Sequence, residues 1–133
     1  MTRILLIDDD DEVRTMLART LSHFGHTVIE AQNGAEGLDL FAKAGVDLVI
    51  TDIVMPEREG LEVLMDLSKR QPPPVIIAIS GGGRTSGPDY LAMAAKMGAQ
   101  RVLTKPFSSD LLLATIDEVM GGSASADPEA KSQ

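Results

Sequence analysis

Apolar and polar positions along this chain fall into blocks that switch between two periods. Short apolar runs recur at Ile4 to Ile7, Thr27 to Ala31, Val46 to Ile50, Val75 to Ile79 and Val102 to Thr104. Runs this short and this apolar are expected of strands covered on both faces. Between them the apolar residues take helical spacing. Val13, Met16, Leu17, Leu21 and Phe24 predict a first helix, which Gly25 ends. Asn33-Gly34 reads as a turn, and Leu38, Phe41 and Ala42 predict a second helix closing near Gly45. Leu61, Leu64 and Met65 predict a third, which stops before Pro72-Pro73-Pro74 because proline lacks the N–H a helix needs. Leu91, Ala94, Ala95 and Gly98 predict a fourth with a small-residue face. Ser108 caps a fifth carrying Leu112, Ile116 and Val119, which ends at Gly121.

This succession is five βα units, which predicts an α/β domain: a parallel sheet with helices on both faces. Residues 1–121 form that domain, and 122–133 carry no periodicity, as expected of a disordered tail or linker stub.

In open parallel sheets, ligands bind beyond the carboxyl ends of the strands. The residues at those exits are therefore the candidates for chemistry. Strand one ends in Asp8-Asp9, strand three in Asp52, strand four in Ser80 and strand five in Lys105, while strand two offers Gln32 and Asn33. Pro56 follows Asp52 and stops its strand, with Gly60 four residues on. Nothing in a buried strand requires an aspartate at its exit.

Three clustered carboxylates repel by about 4 kcal/mol per pair at 4 Å and an effective dielectric near 20. Lys105 supplies one compensating charge, and a divalent cation supplies the other two. Hard oxygen ligands with room for water suit magnesium. Asp52 in such a setting is a nucleophile for phosphorus, giving an acyl phosphate. Lys105 and the Ser80 hydroxyl are placed to stabilise the equatorial oxygens of the transferring group.

Composition narrows the partners. The 133 residues are 44% hydrophobic and 24% charged, within the range of an ordinary globular domain. A net charge of −8 and only 3% aromatic residues disfavour nucleic acid. No apolar run is long enough to span a bilayer, so no membrane role is expected. The absence of cysteine, and a strand that begins directly after Met1-Thr2-Arg3, predict a cytoplasmic location.

The chain resembles the receiver domain of two-component response regulators. The matching segments are Ile4 to Asp9, Asp52-Ile53-Val54-Met55-Pro56 with Gly60, Ile79-Ser80-Gly81, and Leu103-Thr104-Lys105-Pro106-Phe107. The resemblance covers residues 3 to about 120. It implies a flavodoxin-like, doubly wound five-stranded parallel sheet in the order 2-1-3-4-5 with five helices. It makes Asp52 the phosphoacceptor, Asp9 a direct Mg2+ ligand, Asp8 a ligand mainly through water, and the backbone carbonyl of Val54 a further ligand. Ser80 takes the switch-hydroxyl position, Lys105 contacts the phosphoryl group, and the Lys105-Pro106 bond corresponds to the family's cis peptide.

The implied partners are a sensor histidine kinase or phosphotransfer protein, and a downstream target bound through the face of helix four, strand five and helix five. A phosphorylation-dependent dimer is a further implied output. The implied role is a phosphoacceptor signalling protein that catalyses its own phosphoryl transfer and slow autodephosphorylation, not an enzyme acting on other substrates. With only a short tail after the last helix, a single-domain regulator is expected. Val102 stands three positions before Lys105, where the family often has an aromatic switch residue, so an aromatic flip is excluded there. Output is then expected through Ser80, the glycine-rich Gly81 to Pro88 loop and the fourth helix.

The same residues admit other readings. Asp8-x-Asp10 after an apolar strand, with Ser80 and Lys105 later, imitates a haloacid-dehalogenase-like phosphatase with Asp8 as nucleophile, but leaves Asp52 without a role. A receiver-like module that is never phosphorylated would not need the full set Asp8, Asp9, Asp52, Ser80 and Lys105. Asp10, Asp11 and Glu12 are accounted for by the dipole of the helix they precede. Gly81-Gly82-Gly83 lacks the pattern of a phosphate-binding loop. His23 and His26 at a helix end, and Tyr90 on a predicted helix, read as surface residues.

Overall fold

The computed structural model describes residues 2–53, 59–80, 95–96 and 98–121. Within them lie strands β1 (Arg3–Ile7), β2 (Thr27–Ala31), β3 (Leu48–Asp52), β4 (Val75–Ser80) and β5 (Arg101–Thr104). Helices α1 (Asp11–His23), α2 (Gly34–Lys43), α3 (Glu59–Ser68) and α4 (Ser109–Val119) connect or follow them. The strands form one parallel sheet in the order β2-β1-β3-β4-β5, as the resemblance implied. Four helices stand among the described residues, against five expected. Of the predicted fourth helix, Ala95 and Lys96 are helical and exposed, and Leu91 and Ala94 lie outside the described residues.

Strand alternation builds two cores from one sheet. Leu5, Ile7, Val49, Ile76 and Ala78 point to one side and pack with Val63, Leu64 and Leu67 of α3, with Leu38, Leu40 and Phe41 of α2 at the edge. Ile4, Leu6, Leu48, Ile50, Ile77 and Ile79 point to the other and pack with Leu17, Ala18 and Leu21 of α1 and Leu112 and Ile116 of α4. Each fully buried Leu or Ile adds about 1.5–3 kcal/mol. This is why the central strands β1, β3 and β4 are largely apolar on both faces, while the edge strands β2 and β5 carry exposed polar residues such as Glu30 and Arg101.

Several helix faces differ from expectation. Met16 and Phe24 are exposed, and Ala18 is buried instead. Met65 is also exposed, and the buried face of α3 is Val63, Leu64 and Leu67. Ala42 is exposed, whereas Gly34 and Gly37 are buried against the sheet. Asn33-Gly34 is not a free turn but the start of α2. The Asn33 side chain accepts from the Glu36 N–H at 2.7 Å, and Glu36 accepts in return from the Gln32 N–H at 2.8 Å. This reciprocal arrangement satisfies N–H groups that a helix start leaves unpaired.

Other punctuation is as predicted: Gly25 and Gly121 follow α1 and α4 with positive φ, and Ser108 caps α4 by accepting from Leu111. The Lys105-Pro106 peptide is cis, as is Gln71-Pro72. No described helix is long and apolar enough to cross a membrane.

Candidate functional site

Register brings the acidic residues together. Ile7 of β1 stands opposite Thr51 of β3, so the next residues along, Asp8 and Asp52, leave the sheet side by side. On the other flank Asp52 stands opposite Ile79, and Ser80 opposite Thr104, so Lys105 leaves β5 just beyond Ser80. Backbone bonds hold both exits: Ile53 donates to the Ile79 carbonyl at 2.9 Å, and Lys105 to the Ser80 carbonyl at 2.8 Å.

The side chains converge from three strands. Lys105 Nζ lies 3.3 Å from Asp52 Oδ2 and 3.6 Å from Asp8 Oδ2. Carboxylate oxygens of Asp8, Asp9 and Asp52 all lie within 4.8 Å of one another. Asp8 and Ser80 are fully buried, Asp52 is 5% exposed, and Asp9 is open to solvent. The register makes Asp8 the strand-level neighbour, with Asp9 completing the cluster from the solvent side.

Asp8 is held on one oxygen only. Its Oδ1 accepts from the Asp10 N–H at 2.9 Å, while Oδ2 is buried with no hydrogen-bond partner among the described residues. Burial pushes the Asp8 pKa up, and Asp9 and Asp10 add to the rise; the Asp10 N–H and Lys105 oppose it without cancelling it. Burial works against the Lys105 charge too, but the Asp52 and Asp8 carboxylates outweigh it and raise its pKa. Three carboxylates therefore face one ammonium group, with a buried oxygen lacking a donor. An all-oxygen donor set with surplus negative charge fits a small, hard divalent cation.

Other groups support the loops that carry these residues. Asp10 caps α1, accepting from Glu12 and Val13, so its role exceeds the dipole effect expected for it. Buried Thr51 donates from Oγ1 to the Asp52 carbonyl at 3.1 Å. Arg14 of α1 reaches the Asp8 carbonyl at 2.8 Å. The sequence offered one signal for Arg14: a cation in the second turn of an otherwise acidic helix start opposes the helix dipole and so needs another reason. Val54, the Gly81 to Pro88 loop and Tyr90 lie outside the described residues. Val102 packs partly buried against the core on the α2–α3 side.

The family model for the response regulator receiver domain matches residues 4–117. The chain belongs to the response regulator receiver family. It is 32% identical over 124 residues to a chemotaxis protein CheY homolog of Campylobacter jejuni, covering 90% of this chain and 92% of that one. It is 37% identical over 126 residues to the transcriptional regulatory protein GlrR of Escherichia coli, covering 95% of this chain but 28% of GlrR. The chain thus spans less than a third of that regulator. Among solved structures, a response regulator receiver domain protein from Clostridium thermocellum superposes with a TM-score of 0.82 at 30% identity, over 92% of this chain and 97% of that one.

The receiver function in two-component signalling is therefore this chain's own, and the phosphatase reading is set aside. Its would-be nucleophile, Asp8, is fully buried with one oxygen committed to the Asp10 N–H.

Proposed function

We propose that Asp52 accepts a phosphoryl group from the phosphohistidine of a histidine kinase or phosphotransfer protein, with Mg2+ as cofactor. The observation that carries this reading is the placement of Asp52. It ends β3 almost buried, 3.3 Å from Lys105 and in one cluster with Asp8 and Asp9. An Asp52 oxygen attacks phosphorus, the P–N bond of the donor breaks, and the imidazole leaves to be protonated by solvent. Asp9, Asp52 and the Val54 carbonyl would hold the magnesium, with Asp8 assisting through water. Bound there, the ion would supply charge neutralisation where phosphoryl oxygens meet carboxylates.

Lys105 then exchanges its carboxylate partner for a phosphoryl oxygen. The Ser80 hydroxyl, at the end of β4 beside β5, moves toward another. This biases a two-state equilibrium whose output surface is the face of the predicted fourth helix, β5 and α4. Attack by water on the acyl phosphate, slow in so crowded a site, resets the state. A downstream protein reads that face, and pairing of two copies through it is a second use. The bulk charge of −8 favours protein over nucleic acid as the partner.

Intact-mass measurement after incubation with a small phosphodonor and magnesium tests the reading. The parent gains one phosphoryl group and Asp52→Asn does not. Equal gain by both variants rules out Asp52 as acceptor.

A further inference from the structure

Arg14 makes contacts that no part of the phosphoacceptor scheme requires. Its side chain is only 14% exposed, on a helix whose first turn is acidic. Nη1 donates to the Asp8 carbonyl at 2.8 Å, Nε to Glu30 Oε1 of β2 at 3.2 Å, and Nη2 pairs with Asp11 Oδ1 at 2.7 Å. One guanidinium thus joins the exit of β1, the edge strand β2 and the first turn of α1.

The consequence falls on Asp8 and Asp9. The Asp8 N–H donates to the Ala31 carbonyl at 3.1 Å, its Oδ1 accepts from Asp10, and its carbonyl accepts from Arg14. Every polar group of Asp8 is then fixed except Oδ2, the oxygen that faces Lys105. The carbonyl that Arg14 holds belongs to the peptide unit between Asp8 and Asp9. Fixing that plane sets the direction in which the chain delivers Asp9 to the cluster.

We propose that Arg14 is a positioning residue for the acidic cluster: it orients the Asp8–Asp9 peptide so that both carboxylates are presented to a divalent cation. Fixing that peptide plane preorganises the two carboxylates, so loss of the contact raises the cation's dissociation constant. Arg14 touches no reacting atom. Lysine at this position keeps one donor for the Asp8 carbonyl but cannot span Glu30 and Asp11 together.

The inference rests on the cation site proposed above, and calorimetric titration of the unphosphorylated protein with Mg2+ separates the two. Outer-shell partners of ligands typically contribute 10–100-fold in metal affinity, and Arg14→Ala is expected to weaken binding about tenfold. Arg14→Lys should recover part of the loss, and Glu30→Gln should show a smaller one. The phosphorylation rate of Arg14→Ala at saturating Mg2+ should stay within about twofold of the parent, because the groups at phosphorus are untouched.

Arg70→Ala, which removes a remote arginine paired with Asp66, serves as control and should bind Mg2+ as the parent does. A parent that binds no Mg2+ overturns the site itself. A parent that binds, with Arg14→Ala binding equally well, overturns the role of Arg14 alone. A rate loss that saturating Mg2+ does not restore also overturns it. If Arg14→Ala fails to fold, unchanged affinity in both Arg14→Lys and Glu30→Gln is the overturning result.

Discussion

Asp8 is kept ionisable in a place that disfavours its charge. Burial and the neighbouring Asp9 and Asp10 raise its pKa in the folded chain. Between the ordinary carboxyl value and that raised value, the folded state binds more protons than the unfolded state. Stability of the metal-free protein therefore falls as pH rises through this window. Asp8→Asn removes the charge but keeps an oxygen to accept the Asp10 N–H. It should stabilise the metal-free protein at neutral pH by about 1 kcal/mol and abolish that share of the pH dependence. Urea unfolding across a pH series checks both outcomes. The same variant should bind Mg2+ more weakly than the parent, so its stability gain comes at the site's expense.

Lys105 is the counterpart. Its ammonium is the cation already in contact with Asp52 and Asp8. Lys105→Ala should still fold, since the side chain contributes little to either core. Asp52 should still accept phosphate, more slowly, but phosphorylation should no longer alter partner binding. Pull-down of a target by phosphorylated and unphosphorylated variant, compared with the parent, reads this; a parent-like response would remove Lys105 from the switch.

At the scale of elements, α2 lies unusually close to β1. A Cβ placed on Gly37 would come 2.4 Å from Ile7 Cδ1 and 2.8 Å from Ile7 Cγ1. Ile7 is fully enclosed in the core and immediately precedes Asp8. Alanine in a helix is worth about 1 kcal/mol over glycine, but overpacking a core costs about 1–3 kcal/mol. The clash should win, with Gly37→Ala net destabilising by about 1 kcal/mol. Ile7→Val removes Cδ1, so the double variant should lose less stability than the two single losses summed, measured by urea midpoints.

This contact was not legible in the sequence, because it depends on how α2 is seated and not on its periodicity. Rotation of α1 and α3 was legible only in part. At 100° per residue, Met16 lies about 150° from the centre of the Leu17, Ala18 and Leu21 face, and Met65 about as far from that of Val63, Leu64 and Leu67. Hydrophobicity alone placed them inside, while packing places them outside. Phe24 falls in the helix cap, where helical spacing no longer applies. The central strands were more legible, because a run buried on both faces is apolar until near its carboxyl end, where Thr51, Asp52 and Ser80 stand. The same logic exposed Asp8, Asp52, Ser80 and Lys105 as residues that need a reason. Arg14 was legible only as a cation in an acidic helix start, because two of its partners, Asp8 and Glu30, reach it only through the fold.

For the whole molecule, the sheet order converts scattered strand ends into one charged site while both faces stay committed to packing. If the site takes up the proposed cation, the binding energy there adds directly to folding stability. A cation at about 100 times its dissociation constant stabilises the folded state by about 2.7 kcal/mol. For a domain of this size that is roughly a 10 °C rise in Tm. The rise requires ionised carboxylates, and Asp8 protonates at a higher pH than an ordinary aspartate. As pH falls, the Mg2+-induced rise should therefore begin to shrink as Asp8 takes up a proton. In Asp8→Asn the rise should be smaller at neutral pH and should decline only at lower pH. Thermal melts with and without Mg2+ along a pH series measure this. An identical decline in parent and Asp8→Asn would mean that another carboxylate governs the coupling between the site and the stability of the fold.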